Sequence, residues 1–173
     1  RSNSVILDIL VEKGEKVKIK DINFIGNENL DDRDLRKAMD ETKRARFWNI
    51  FKSSKLLAEE YKEDKKLIIE KYNSEGYRDA RIISDTVYAV EDDRVAIDIK
   101  VEEGRKYYFG DISWVGNSKY SSETLAEVLA IKKGDVYDAS FLQQRLFGDP
   151  AGTEVSALYL DNGYLFFYMN PVE

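Results

Sequence analysis

Residues 21–27 read DINFIGN and residues 111–117 read DISWVGN, so one chain writes Asp-Ile-x-aromatic-aliphatic-Gly-Asn twice. The same offset of 90 positions carries VILDILVEKGEK (5–16) onto VAIDIKVEEGRK (95–106). Val5, Asp8, Ile9, Val11, Glu12, Gly14 and Lys16 recur there unchanged. A second signature follows each copy, EKYNSEGYRDA at 70–80 and ALYLDNGYLFF at 157–167. Two motifs in the same order define a tandem repeat.

Composition narrows the function classes. The 173 residues are 43% hydrophobic and 35% charged, which fits folded domains rather than a disordered chain. No window approaches the roughly 18–20 apolar residues that span a bilayer as a helix. The net charge of −6 disfavours nucleic acid as the main partner, since phosphate binding needs a basic face. The absence of Cys and His removes cysteine nucleophiles, Ser-His triads and Cys/His zinc sites. The chain reads as a binding module, not an enzyme, with no cofactor and no metal.

Periodicity gives the unit. Residues 16–25 read as a strand with Lys16, Lys18 and Lys20 on one face and Val17 and Ile19 on the other. The phase slips at Asp21, since Ile22 and Phe24 fall out of register, and a bulge near Lys20-Asp21 accounts for that. Gly26-Asn27 ends the strand. Asp31 is an N-cap candidate, and Leu35, Ala38 and Met39 are the buried stripe of the helix it starts. A second helix is expected from about 57 to 75, with Tyr61, Lys65, Ile68 and Tyr72 on one face and Gly76 as its left-handed stop. Gly163 repeats that stop after Val155, Leu158 and Tyr159. A hairpin follows: a strand from about 79 to 90, a turn at Asp92-Asp93, and a strand at 94–102 whose Val95, Ile97, Ile99 and Val101 alternate inward.

The unit is therefore β-α-α-β-β, an α+β fold with a three-stranded mixed sheet covered on one face by two helices. Two intervening helices make the first and second strands antiparallel. If the third strand is central, the first two are edges. Residues 1–14 correspond to the last strand of a preceding unit, 15–104 form a complete unit, and 105–173 form a second unit without its final strand. The chain thus reads as a section of a longer array.

These residues resemble the POTRA family. Gly26-Asn27 after the first strand, Gly76-Tyr77 after the second helix and Val101-Glu102-Glu103-Gly104 at the end of the third carry the likeness. Gly116-Asn117 and Gly163-Tyr164 carry it in the second copy. Tandem POTRA domains typify BamA-type outer-membrane protein assembly factors, and RFWNIFKSSKL and LFGDPAGTEVSALYLDNGYLFF look like the Bacteroidetes branch. The resemblance implies a place on the periplasmic side of the bacterial outer membrane and a C-terminal membrane β-barrel in the same full-length chain. It implies binding of unfolded outer-membrane proteins and of accessory lipoproteins, partly by β-augmentation. Two features depart from the pattern: the long stretch between the helices (about 42–56), and Gly148-Asp149-Pro150-Ala151-Gly152, which interrupts the second helix of the second copy.

Three candidate sites follow. The edge strand at 80–90 is the first, with Ala80, Ile82, Ser84, Thr86 and Tyr88 along one side and Ile83, Val87 and Ala89 mostly on the other. An edge strand offers unpaired N–H and C=O groups to an extended peptide, although natural edges are usually protected. The second is the basic, aromatic stretch 42–55, where Lys43, Arg44, Arg46, Phe47, Trp48 and Lys52 would meet a partner or anionic headgroups; capping of the core by its aromatics is the plainer reading. The third is an inter-domain hinge at Gly14 and Gly104. Asp31-Asp32 and Asp92-Asp93 are better read as a cap and a turn than as metal or acid–base pairs. YLFFYMN (164–170) is aggregation-prone if unpaired, and residues 5–13, the repeat-equivalent of its absent partner, would allow a strand-exchanged contact with 164–169 of another copy. Two-partner secretion transporters, plastid import channels and a division protein also carry POTRA domains, though tandem copies speak against the last. A KH-like nucleic-acid module would need a GxxG loop and a basic groove, and the complete unit has neither.

Overall fold

A computed structural model describes residues 8–10, 18–39, 58–148 and 151–172. The first unit contains β1 (Lys18–Ile25), α1 (Asp32–Ala38), α2 (Ala58–Ser74), β2 (Arg81–Glu91) and β3 (Arg94–Glu102). The sheet order is β1-β3-β2, with β3 central, parallel to β1 and antiparallel to β2. The chain therefore has the expected α+β fold, a three-stranded mixed sheet with helices on one face. β3 alternates as a half-buried strand must: Ile97, Ile99 and Val101 are buried, and Lys100 is exposed between two of them. β1 carries its bulge where the apolar phase slips. Its register with β3 shifts between Ile19 and Asp21, so that Ile19 and Ile22 both reach the core.

Local chemistry places the helices. Gly26 takes φ +89°, and its Cβ position lies against the Val101 carbonyl of β3, where no side chain fits. Asn27 Nδ2 then donates to Leu30 O (3.0 Å) and Asp32 Oδ1 (2.8 Å), fastening the loop onto the start of α1. Asp31 holds the N-cap position, but its side chain makes no capping bond; its carbonyl accepts from the Asp34 and Leu35 amides. α2 ends in a Schellman turn. Gly76 takes φ +90°, Tyr77 N donates to Tyr72 O (2.9 Å) and Gly76 N to Asn73 O (3.1 Å). Tyr61, Ile68 and Tyr72 pack from α2 onto Ile19, Ile22, Leu35, Met39, Ile97 and Ile99. Lys65, on the same stripe by spacing, stays half-buried with its ammonium 4.9 Å above the Tyr61 ring and 3.2 Å from Asp85.

The second unit repeats the turns. Asn117 Nδ2 donates to Tyr120 O (3.0 Å), Ser121 caps α3 (Ser122–Leu129) through Thr124 N, and Gly163 forms the same Schellman turn with Tyr164 N on Tyr159 O (3.0 Å). α4 (Ala139–Phe147) and α5 (Val155–Leu160) replace one long helix, with Gly148 closing α4 as the interruption predicts. Phe109, Leu125, Leu129, Ile131, Leu146, Val155 and Tyr159 form a second core. The sheet is what differs. Residues 109–115 and 164–169 form no strand, and Tyr108–Val136 is an isolated bridge. The topology of the first unit explains this: β1 and β2 pair only with β3, so their counterparts have no common partner among the described residues.

Candidate functional site: the outer strand of the first sheet

β2 is the longer of the two sheet edges, 11 residues against 8 for β1. The two edges are guarded differently. β1 presents Lys18 and Lys20, paired with Asp93 (3.2 Å) and Glu91 (2.6 Å). Lys20 holds the Glu91 carboxyl below its usual range through that hydrogen bond. On β2 the charges sit near the ends or turn inward: Arg81 pairs with Glu102, Asp85 with Lys65, and Glu91 with Lys20 and Arg94. Between them lie Thr86, Val87, Tyr88, Ala89 and Val90, a run with no charge. Ile83 (45%), Val87 (42%), Tyr88 (40%) and Val90 (39%) are all exposed on this strand.

The bulges of β2 correct one expectation. Ala80, Ile82, Ser84, Thr86 and Tyr88 do not share a side, because the register shifts between Ile82 and Ser84. Cross-strand partners share a face. Ile82, paired with Val101, faces the helices, whereas Ser84, Thr86 and Tyr88, paired with Lys100, Asp98 and Ala96, lie on the open face. Ala80 is buried in the core. Asp85, Val87 and Ala89 take the helix side opposite Ile99, Ile97 and Val95. Tyr88 donates to Asp98 Oδ1 (3.3 Å) beside its partner Ala96, which is buried although it belongs to the open face. A second shift between Ala89 and Glu91 ends the regular ladder.

The basic aromatic stretch with Lys43, Arg44, Arg46, Phe47, Trp48 and Lys52 lies outside the described residues, as does Gly14. Gly104 is described: φ is +73°, and Asp79 Cβ lies 3.0 Å from where its own Cβ would stand. Around it the two units meet through residues that periodicity did not single out. Tyr107 N donates to Gly76 O (2.8 Å), and Tyr107 Oη donates to Asp79 Oδ2 (2.6 Å). The Arg78 guanidinium lies 5.5 Å above the Tyr137 ring. Glu103, also missed, is buried at the end of β3. It accepts from the Asn29 amide and side chain, from Leu30 N and from Tyr72 Oη, joining β3, the β1–α1 loop and α2. Among the described residues no group of His, Cys, Asp and Glu could hold a metal ion, and no helix is long and apolar enough to cross a membrane.

Comparison with known proteins places this geometry. The POTRA model, described as a surface antigen variable number repeat, matches residues 17–104 and 107–172. A putative outer membrane protein assembly factor of Treponema pallidum is 27% identical over 99% of this chain and 20% of its own length. The outer membrane protein assembly factor BamA of Neisseria meningitidis is 29% identical over 79% of this chain and 17% of its own. The chain thus spans about a fifth of the length of these curated relatives. The crystal structure of Haemophilus influenzae BamA POTRA3-5 superposes with a TM-score of 0.56 at 22% identity, covering 80% of this chain and 59% of that one, a likeness of fold. With one match on each copy of the repeat, this chain belongs to the POTRA family.

Proposed function

We propose that the chain is a periplasmic substrate- and partner-binding module of an outer-membrane β-barrel assembly machine, acting by β-strand augmentation at the outer edge of β2. The observation that carries this reading is the uncharged, exposed run 86–90 on an edge strand whose neighbouring charges are paired within the unit. Main-chain pairing asks little of the incoming sequence, which suits a module that receives many unfolded outer-membrane proteins. Alternate side chains of the incoming strand would meet the apolar positions Val87 and Val90, and the paired charges at each end would limit its length. The names of the curated relatives support the assembly role. Accessory lipoproteins and a membrane β-barrel in the same full-length chain complete the machine in this reading.

A 15N NMR titration with peptides taken from outer-membrane β-barrel strands tests it. Amide shifts concentrated in 81–91 are the expected outcome. Shifts confined to 42–55 would move the site to the basic aromatic stretch, and silence in both would overturn the augmentation mechanism.

A further inference from the structure

The outer edge of β2 and the joint between the units share one piece of chain. α2 ends at Ser74 and β2 starts at Arg81, so residues 75–80 are both the root of the edge strand and the seat of the second unit. Tyr77 and Ala80 anchor this root in the first core. Other groups of it reach across the joint. Gly76 O accepts from Tyr107 N (2.8 Å), and Asp79 Oδ2 accepts from Tyr107 Oη (2.6 Å). The Arg78 guanidinium lies 5.5 Å from the centre of the Tyr137 ring, and Lys106 Nζ lies 5.4 Å from the centre of the Tyr77 ring.

β3 enters the same place. Its last residue, Glu102, pairs with Arg81, the first of β2, in the sheet and through a side-chain ion pair (2.8 Å). Glu103 then fixes the β3 side within the first unit, on Asn29, Leu30 and Tyr72. On the β2 side the exposed pair Arg78-Asp79 meets Tyr137 and Tyr107 of the second unit. At the far end the restraint is internal, since Glu91 is held by Lys20 and Arg94 of the same sheet.

Between the root and the uncharged run 86–90 lies the register shift at Ile82/Ser84. A bulge bends its strand and raises the local twist. The direction in which 84–89 leave the bulge therefore depends on how β2 enters it. Edge pairing is sensitive to that direction, because several successive N–H and C=O groups must each meet the incoming strand within the narrow distance range of a hydrogen bond.

We propose that Tyr107 is a positioning residue for the β2 edge: with the second unit seated on Gly76 and Asp79, β2 leaves its root in the direction an incoming strand can pair with, and freeing the seat weakens that pairing. This rests on the augmentation reading of β2 and adds its control. Linkage makes the effect reciprocal. If seating raises the affinity for a strand, a bound strand favours seating by the same factor. Each strand taken up at β2 then stiffens the joint.

Hydrogen exchange and binding, both on the full chain, test the two directions. The Tyr107 amide reports seating because its bond crosses the joint, and the Phe109 amide, bonded to Asp135 O (2.8 Å) inside the second unit, is the control. Saturating the wild type with an outer-membrane strand peptide that shifts amides in 81–91 should slow exchange at Tyr107 by about fivefold or more and leave Phe109 unchanged. Tyr107→Ala should weaken the same peptide by a comparable factor in the 15N titration, while its dispersed spectrum shows both units folded. Tyr107→Phe, which keeps the ring and the amide, should fall between the two. Adding Asp79→Ala to it should bring no further loss, since both substitutions remove one bond. A purely structural role for Tyr107 would lower the unfolding midpoint and leave the affinity of the folded chain where it was. Unchanged affinity in Tyr107→Ala, or Tyr107 exchange indifferent to the peptide, would overturn the coupling and leave the augmentation reading standing. A wild-type chain that binds no strand peptide at 81–91 would overturn both.

Discussion

At the scale of single residues, Glu103 shows how much of this fold hangs on polar satisfaction. A buried carboxylate is tolerable only when donors surround it, and here the Asn29 amide and side chain, Leu30 N and Tyr72 Oη do so. Glu103→Ala strands those donors and should cost about 3 kcal/mol, while Tyr72→Phe, which removes one of them, should cost about 1 kcal/mol, both read from urea unfolding. The same contact sets an alkaline limit. Burial first, and the Glu103 carboxylate second, raise the Tyr72 hydroxyl above its ordinary value of 10.0. The folded state therefore keeps a proton that the unfolded chain releases. Its contribution is fully present below pH 10.0 and declines as pH rises beyond it toward the raised value. Tyr72→Phe should flatten that decline in a pH series of unfolding midpoints; an unchanged slope would assign the decline to other groups.

Glycine offers a matched pair. Gly76 and Gly163 close equivalent helices in the same left-handed conformation, φ +90° and +84°. Among the described residues a Cβ on Gly163 meets nothing within 4 Å, whereas one on Gly76 meets Val136 Cγ1 at 2.8 Å and Tyr107 O at 3.0 Å. Gly163→Ala should therefore cost only the left-handed strain, about 1–2 kcal/mol. Gly76→Ala should cost more in the same denaturation experiment, because the second unit must also move. Equal costs would show that the units separate without loss.

At the scale of elements, the lesson is which strands can be read from their own residues. β3 was legible because Ile97, Ile99 and Val101 alternate without interruption, and the bulge in β1 was legible because Ile19 and Ile22 break the alternation visibly. The bulge in β2 was not: Ile82 and Ile83 are both apolar, so either parity satisfies the pattern, and the five candidate edge residues could not be divided correctly between faces. Residues 109–115 and 164–169, the repeat counterparts of β1 and β2, have suitable sequences and still form no strand among the described residues, since a ladder is a non-local object. Glu103 and the inter-unit contacts were invisible for a related reason, as their partners lie far away in the chain. The exposed run of β2 yields the functional prediction at this scale. Val87→Lys places a charge in the uncharged stretch, the device by which natural edges resist pairing. It should weaken binding of strand peptides severalfold while shifting stability by no more than about 0.5 kcal/mol, since Val87 is already exposed. Ile97→Ala supplies the contrast: it should cost about 2–5 kcal/mol, showing that a lost core residue and a blocked edge are separable in one assay pair.

At the scale of the whole molecule, the question is whether the two units behave as one body. Gly104 stands between them at φ +73°, and contacts on either side of it join the units. Tyr107 is held by its amide to Gly76 O and by its hydroxyl to Asp79, and its own carbonyl accepts from Tyr137 N (3.0 Å). Lys106 lies 5.4 Å above the Tyr77 ring, and Arg78 above Tyr137, so cation–π contacts cross the joint in both directions. These are exposed interactions of about 0.5–1 kcal/mol each, and their joint effect comes from sharing one rigid turn. The Gly-Tyr signature that ends α2 thus also forms the seat of the following unit, which couples helix termination to inter-unit geometry. Residual dipolar couplings test this. In the wild type both units should fit a single alignment tensor. Tyr107→Ala removes the hydroxyl bond and the ring between Asp79 and the second unit, and should require two tensors while the couplings within each unit still fit their own structures. Should one tensor still suffice, the amide bond to Gly76 and the tightness of the turn would be enough to fix the angle, and Gly76→Val, whose Cβ would stand 2.8 Å from Val136 Cγ1 and 3.0 Å from Tyr107 O, becomes the substitution that must change it.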